Sequence, residues 1–339
     1  MVTPDIIVVG ASAGGIPALV ELVQMLPPGF PAALFVVQHI PAYVTSYLPD
    51  LLSKAGSLPA RHPEHGEGVQ HGVIYVAPPD HHLLVEQNKV LVTRGPKENR
   101  FRPSIDALFR SVAHAYGPRA IGVVLSGYLD DGTSGLWTIQ RLGGVTIIQD
   151  PEEAYAPAMP RNVLEYVQPD YTVRLAELAP LLIRLTAQPT ANLATLTQAE
   201  IDRIRVEVRV AHGDSTIDLK LLQQGELTPF FCPECQGPLV QLVEDNLVHF
   251  RCRIGHAFSL SALLASVTEG VENQLYQVMQ SLEEAQQLLK HLSERFADQP
   301  DLAHSLAVQA EQARRRAQAV HESIMKNEAL GGSTRSQHS

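Results

Sequence analysis

The alternation of two kinds of segment constrains this chain more than any other feature. Between Pro4 and Thr186, short β-branched or apolar runs (Ile6–Val9, Leu34–Val37, Gly72–Ala77, Leu83–Leu91, Ile121–Leu125, Val145–Gln149, Tyr171–Arg174) are mostly separated by segments with apolar residues at helical spacing. Those segments are Ile16–Met25, Ile105–His114, Ser134–Leu142 and Leu175–Leu185. Continuously apolar strands joined through helices are buried on both faces, which predicts an α/β fold with a doubly wound, mainly parallel sheet. One stretch departs from this. In residues 72–93, two runs are separated only by Pro78-Pro79-Asp80, too short for a crossover helix, which predicts an antiparallel hairpin at one edge.

The alternation ends near Ala187, so residues 1–186 read as one domain. Residues 187–228 read as a linker region, and residues 229–258 contain all three cysteines. Residues 259–328 are rich in Leu, Ala, Gln and Glu, and their helical spacing breaks once, at Asp298-Gln299-Pro300-Asp301. That pattern predicts a helical hairpin, followed by a disordered tail at 329–339.

A formal net charge of −10 argues against nucleic acid or an anionic membrane as partner. Residues 200–339 are themselves net acidic, with Arg314-Arg315-Arg316 their one basic cluster. No apolar run approaches the ~20 residues of a membrane span, and MVTPDIIVVGASAGG lacks the basic n-region of a secretory signal. A cytoplasmic protein is expected.

Chemistry gathers at three strand ends. The first run leads into Gly10-Ala11-Ser12-Ala13-Gly14-Gly15 and a helix with Pro17 in its first turn, matching G-x-S-x-G. Taken alone, the turn serves a nucleophilic serine and a phosphate site about equally well. It lacks the second glycine of G-x-G-x-x-G and has no G-K-[ST], which weakens a nucleotide-binding reading. The second run ends in Gln38-His39-Ile40-Pro41, and Tyr128-Leu129-Asp130-Asp131-Gly132 follows the run at Ile121–Leu125. Functional groups of open α/β sheets collect outside the carboxyl ends of strands, so Ser, His and Asp at three such ends point to acyl transfer. The order Ser…His…Asp differs from the Ser…Asp…His of α/β-hydrolases. Five histidines near the proposed hairpin (His62, His65, His71, His81, His82) lack paired metal-ligand spacing and read as polar loop residues.

These residues resemble the catalytic domain of the chemotaxis receptor protein-glutamate methylesterase family (CheB type). The resemblance rests on VVGASAGG, VVQHIP, GVIYVAPPDHHLLV, RPSIDALFRSVA, VVLSGYLDDGTSG and QDPEEAYAPAMPRNVL, in the family's order. It implies Ser12 as nucleophile, His39 as general acid/base and Asp131 as the residue orienting the histidine, with Asp130 a minor alternative. It implies hydrolysis of glutamyl methyl esters on chemoreceptors with no catalytic cofactor, and in some members glutamine deamidation as well. Backbone donors at Ala13, Gly14 and near Tyr128 are then expected at the oxyanion, and Met159 at the substrate groove. The first strand begins so early that no receiver domain is expected ahead of it. A non-enzymatic signalling adaptor that keeps the fold is the alternative.

In the second part of the chain, Cys232-Pro233-Glu234-Cys235 and Cys252…His256 form C-x₂-C…C-x₃-H, the ligand spacing of a structural Zn²⁺ site. Leu239–Leu242 and Leu247–Phe250 between the pairs suit a small zinc-ribbon-like hairpin. The helical tail is expected to mediate homo-oligomer or partner binding, or simply to pack on itself.

Overall fold

The computed structural model describes residues 3–190, 196–213, 222 and 225–331. The first strands are β1 (Ile6–Ala11), β2 (Ala33–Gln38), β3 (Ala60–Arg61) and β4 (Ile74–Val76), with helices α1 (Gly15–Gln24) and α2 (Leu48–Ala55) among them. A separate antiparallel hairpin, β5 (His82–Glu86) and β6 (Lys89–Thr93), leads to α3 (Ile105–Tyr116). Then follow β7 (Ala120–Val124), α4 (Thr133–Arg141), β8 (Val145–Gln149), α5 (Ala158–Tyr166), β9 (Tyr171–Val173) and α6 (Leu175–Thr186).

Seven strands form one parallel sheet in the order β3-β4-β2-β1-β7-β8-β9. Strand β1 divides its side chains between two cores. Ile7, Val9 and Ala11 face α1, α2 and α6, while Ile6 and Val8 face α3, α4 and α5. The order reverses at β1, which pairs with β2 on one side and β7 on the other. This is the topological switch point, and the crevice beyond its carboxyl end is where such sheets place functional groups.

The expected hairpin exists, but at different residues. Ile74–Val76 pairs in parallel with β2, so Pro78-Pro79-Asp80 leaves the sheet instead of turning a hairpin. The antiparallel turn lies inside the run taken as one strand, at Gln87 and Asn88, both with positive φ. A three-residue buried strand carries no alternation, and Gln87 is an unusual residue for a left-handed position, so neither was apparent in the sequence.

The segment expected as a linker contains a helix, α7 (Gln198–His212), opened by a capping box in which Thr197 and Glu200 satisfy each other's amides. Four antiparallel strands follow: β10 (Glu226–Phe231), β11 (Pro238–Glu244), β12 (Leu247–Cys252) and β13 (Ala257–Ser259). Helices α8 (Leu260–Arg295) and α9 (Pro300–Gly331) then form the expected hairpin, with Ser293 Oγ donating to Ala303 O at 2.8 Å. The chain divides into two units, one ending at Ala262 and one beginning at Leu263. Residues 332–339, most of the segment expected as a disordered tail, lie outside the described residues. Among the described residues no helix is long and apolar enough to cross a membrane.

A buried charge network joins α3, α7 and β12 within the first unit. Arg110 pairs with Glu98 and, at 3.1 Å, with Glu207; Arg251 reaches the same two carboxylates at 3.3 and 3.7 Å. Burial disfavours ionisation of Glu98 and Glu207, but the two guanidiniums outweigh it and hold both pKa values below the usual range. Replacing Arg110 by Met leaves the two carboxylates short of charge, for an expected loss of about 3–5 kcal/mol at neutral pH. Because their folded pKa values are depressed, the pair's contribution is complete above the unfolded value of roughly 4.3 and fades as pH falls through the folded values. Denaturant titrations of both proteins at pH 7 and at pH 3 should show the gap narrowing at the lower pH. An equal gap at both would rule out this account.

Candidate active site

Ser12 and His39 directly follow β1 and β2, whose last paired residues are Ala11 and Gln38. Parallel neighbours lie ~4.8 Å apart, so this register seats serine and histidine side by side. The backbone fixes both: Ser12 N donates to Ser126 O at 2.9 Å and His39 N to Ala11 O at 3.0 Å. Gln38 Nε2 also donates to Ser12 O at 2.8 Å.

Asp131 comes from the loop after β7 and is buried. Its Oδ2 lies 2.9 Å from His39 Nε2. The other donors to this carboxylate come from the start of α3 and the loop before it. Ile105 N donates to Oδ2 at 2.8 Å, while Asn99 Nδ2, Ser104 Oγ and Asp106 N donate to Oδ1 at 3.0, 3.1 and 3.2 Å. A carboxylate at the amino end of a helix gains from the free amides and the helix dipole. Burial pushes the Asp131 pKa up, but the hydrogen bond and charge of His39, with Asn99 and the Ile105 amide, hold it down at about 2. Asp130 is not the histidine's partner; it accepts a 2.7 Å hydrogen bond from Ser259 Oγ.

An ionised Asp131 can only accept, so Nε2 of His39 carries a proton, and in the neutral ring Nδ1 keeps the lone pair. Nδ1 is buried and has no hydrogen-bond partner. No hydrogen bond joins it to Ser12 in this conformation; such contacts are often loose before substrate binds. The basic nitrogen is thus the opposite one from that used in chymotrypsin-type triads, where Nδ1 faces the aspartate. The Phe101 ring stacks on the imidazole at 3.7 Å between centroids and 8° between planes.

Gly14 caps α1 in the left-handed region (φ 75°), and no side chain caps the helix; the first helical amide, Gly15 N, donates to Ser12 O at 2.9 Å. A Cβ at Gly14 would lie 2.6 Å from Tyr155 Cβ and 2.9 Å from Ser126 Oγ. Gly127 is equally constrained: a Cβ there would lie 1.9 Å from Met159 Sδ and 2.8 Å from Ser12 Cβ. Tyr128 is exposed, as are Tyr43, Tyr47 and Tyr155. Met159 is fully buried against Gly127, so its side chain lies beneath the turn and not on an open groove.

Asn99, Phe101, Ser104 and Asp106 were not singled out from the sequence. Burial and the neighbouring Asp131 charge raise the Asp106 pKa well above the usual range. Its Oδ1 accepts from the amides of Gly132 and Gly135, tying the Asp131 loop to α3. The block RPSIDALFRSVA contained the signal, a Ser cap opening an apolar helix, but only the fold brings that cap to Asp131.

Residues 7–182 match the profile of the CheB methylesterase family. The chain belongs to the CheB methylesterase family. A putative protein-glutamate methylesterase/protein-glutamine glutaminase of Leptospira interrogans is 38% identical over 53% of this chain and 94% of its own length. Protein-glutamate methylesterase/protein-glutamine glutaminase 4 of Anaeromyxobacter dehalogenans is 37% identical over 55% of this chain, which spans only 53% of that relative. The crystal structure of the Thermotoga maritima CheB methylesterase catalytic domain superposes with a TM-score of 0.52 and 34% identity, covering 54% of this chain and 100% of that one. The CheB match therefore covers the parallel-sheet domain and leaves the cysteine-bearing strands and the helices outside it.

Those strands bring Cys232, Cys235, Cys252 and His256 together, their ligand atoms all within 4.8 Å of one another. Cys232 Sγ and Cys252 Sγ each lie 3.6 Å from His256 Nδ1, and Cys235 Sγ lies 3.6 Å from Cys252 Sγ. A tetrahedral ion with bonds of ~2.3 Å to sulfur and ~2.0–2.1 Å to nitrogen needs edges of roughly this length, so the residues fit such an ion. None of the three cysteines is in a disulfide. Glu207, Glu244 and His249 also converge, but Arg110 and Arg251 already pair with Glu207, and Arg203 with Glu244. None of the five histidines between 62 and 82 belongs to either group; His82 is buried, with Nε2 2.9 Å from Pro96 O.

Proposed function

We propose that this chain hydrolyses glutamyl methyl esters on proteins, releasing methanol, through Ser12, His39 and Asp131. The observation that carries the reading is the His39–Asp131 hydrogen bond, which leaves Nδ1 buried and unpaired in a CheB-family domain whose strand register sets Ser12 next to His39. Ser12 Oγ attacks the ester carbonyl and gives its proton to His39 Nδ1. Amides of the Ala13–Gly14 turn, and backbone near Tyr128, stabilise the oxyanion, each such donor contributing about 10²–10³-fold in rate. As the intermediate collapses, the carbon–oxygen bond to methoxide breaks and His39 returns the proton, releasing methanol. Water then attacks the glutamyl-enzyme by the reverse proton route, leaving a glutamate carboxylate and free Ser12. Glutamine would follow the same path with ammonia as leaving group. Met159 acts by holding Gly127 in place.

The expected substrate is a methylated chemoreceptor or related signalling protein. The exposed Tyr43, Tyr47, Tyr128 and Tyr155 support a protein surface as ligand, since amphipathic rings concentrate where proteins meet. Apolar side chains left exposed on α8, among them Val267, Val271 and Leu288, support a partner-binding or oligomerising role for the helical pair.

The four-residue cluster is read as a structural Zn²⁺ site, since three thiolates and one imidazole leave no ligand position open. Metal analysis of protein purified without chelator should find about one zinc per chain; a value near zero after growth with zinc would reject the site. The esterase reading is tested by methanol release from a methylated receptor fragment. Release above the chemical background supports it, and none from zinc-replete protein would favour the adaptor.

A further inference from the structure

We propose that the cysteine-bearing sheet is a metal-dependent positioning element for the esterase centre: with the ion bound, strand β13 holds residues 97–101 so that Asn99 and Phe101 fix Asp131 and His39. This rests on the esterase and zinc readings above and adds a link between the two sites.

The link is a short run of backbone. β13 begins one residue after His256, and residues 97–99 pair with its first residue through a single parallel bridge. Ala257 N donates to Lys97 O at 3.2 Å, Asn99 N donates to Ala257 O at 2.8 Å, and a parallel bridge joins Glu98 to Ala257. Ser259 N then donates to the side-chain Oδ1 of Asn99 at 2.9 Å. The first cysteine pair holds the same run through Lys97 Nζ, 3.0 Å from Glu234 Oε2. Each metal-ligand pair therefore has a grip on this segment.

The far side of that segment reaches the catalytic groups. With its Oδ1 held by Ser259, the amide of Asn99 can only turn Nδ2 toward Asp131, to which it donates at 3.0 Å, and toward Asp106 at 2.8 Å. The ribbon strand thus dictates which way the amide faces. Two residues on, Phe101 covers one face of the His39 ring. A second path runs through Ser259 Oγ to Asp130, the residue before Asp131.

Four short strands enclose few buried side chains, chiefly Leu239, Leu242, Leu247, Phe250 and Phe258. Sheets of this size usually need a metal or disulfide to hold their shape. Losing the ion should loosen β13, free the Asn99 amide to rotate and remove one of the three donors to Asp131 Oδ1. The exposed tyrosines offered above as the protein-facing surface, Tyr43, Tyr47, Tyr128 and Tyr155, are not part of this path. The effect should therefore fall on kcat and spare KM.

The experiment uses the full chain with zinc bound, stripped by chelation, and restored with one equivalent of Zn²⁺. Hydrogen exchange should show the Asn99 amide protected with metal, exposed without it and protected again on restoration. Methanol release should fall about 10–100-fold in kcat on stripping, with KM within about twofold, and recover with zinc. Asn99→Ala should show a similar kcat loss with zinc bound and a further loss on stripping that is smaller than the product of the two effects, because both remove the Asn99 contact. Unchanged Asn99 protection after verified zinc loss would overturn the proposal, as would multiplying effects of stripping and Asn99→Ala. Were the zinc-loaded protein to release no methanol, the esterase reading would fail, while the exchange measurement would still decide whether the metal positions this segment.

Discussion

Ser12→Ala should reduce methanol release by about 10⁴–10⁶-fold in kcat while leaving substrate affinity close to that of the parent. The serine hydroxyl is the nucleophile in the proposed route, and no other hydroxyl occupies its place at the end of β1. Ser126 is nearby, but its Oγ donates to Ala13 O at 2.7 Å and accepts from Ala156 N at 2.8 Å, which commits it to the backbone. The substitution removes one oxygen from a half-buried position, so the fold should survive and binding of methylated receptor can be measured on the variant. Retained turnover in Ser12→Ala would sink the acyl-enzyme mechanism.

Asp131→Asn should cost about 10⁴-fold in kcat, as loss of the correct imidazole tautomer does in other serine hydrolases. The reason is unusually direct in this site. His39, Ile105, Asn99, Ser104 and Asp106 all present donors to the two carboxylate oxygens. An asparagine has only one acceptor oxygen, so its amide nitrogen must face some of those donors. If it faces His39, Nε2 has to become the acceptor, the proton moves to Nδ1, and the base is lost. If it faces the start of α3, the buried amides there lose their partner and stability falls. Steady-state kinetics and a thermal melt on the same preparation should show one loss or both. A variant with parental kcat would mean that Asp131 does not set the tautomer.

The parallel sheet was legible because buried strands and crossover helices impose different periods on the chain, and β8 appears just as the pattern marks it, at Val145–Gln149. The candidate residues Ser12, His39 and Asp131 were legible for a related reason: Ser12 and His39 directly follow such strands, and Asp131 lies in the loop beyond a third. The helix α7 left a readable mark, Thr197-Gln198-Ala199-Glu200, but its polar surroundings resembled a connector. The contacts around Asp131 could not be read in the same way. Asn99 bonds a residue 32 positions away, and Ser259 reaches Asn99 across 160 positions. No local period or cap encodes such a meeting; it exists only once α3, the 97–101 segment and the cysteine-bearing sheet have packed together.

The orientation of His39 bears on how such an enzyme could be inhibited. Reagents that alkylate a serine hydrolase's histidine usually approach the outer ring nitrogen, which here is engaged by Asp131. The remaining nitrogen sits next to the residue's own Cβ, and Phe101 shields one face of the ring. Slim acylating or phosphonylating warheads aimed at the serine oxygen should therefore outperform halomethyl ketones, and that preference could separate enzymes with this geometry from chymotrypsin-type serine proteases.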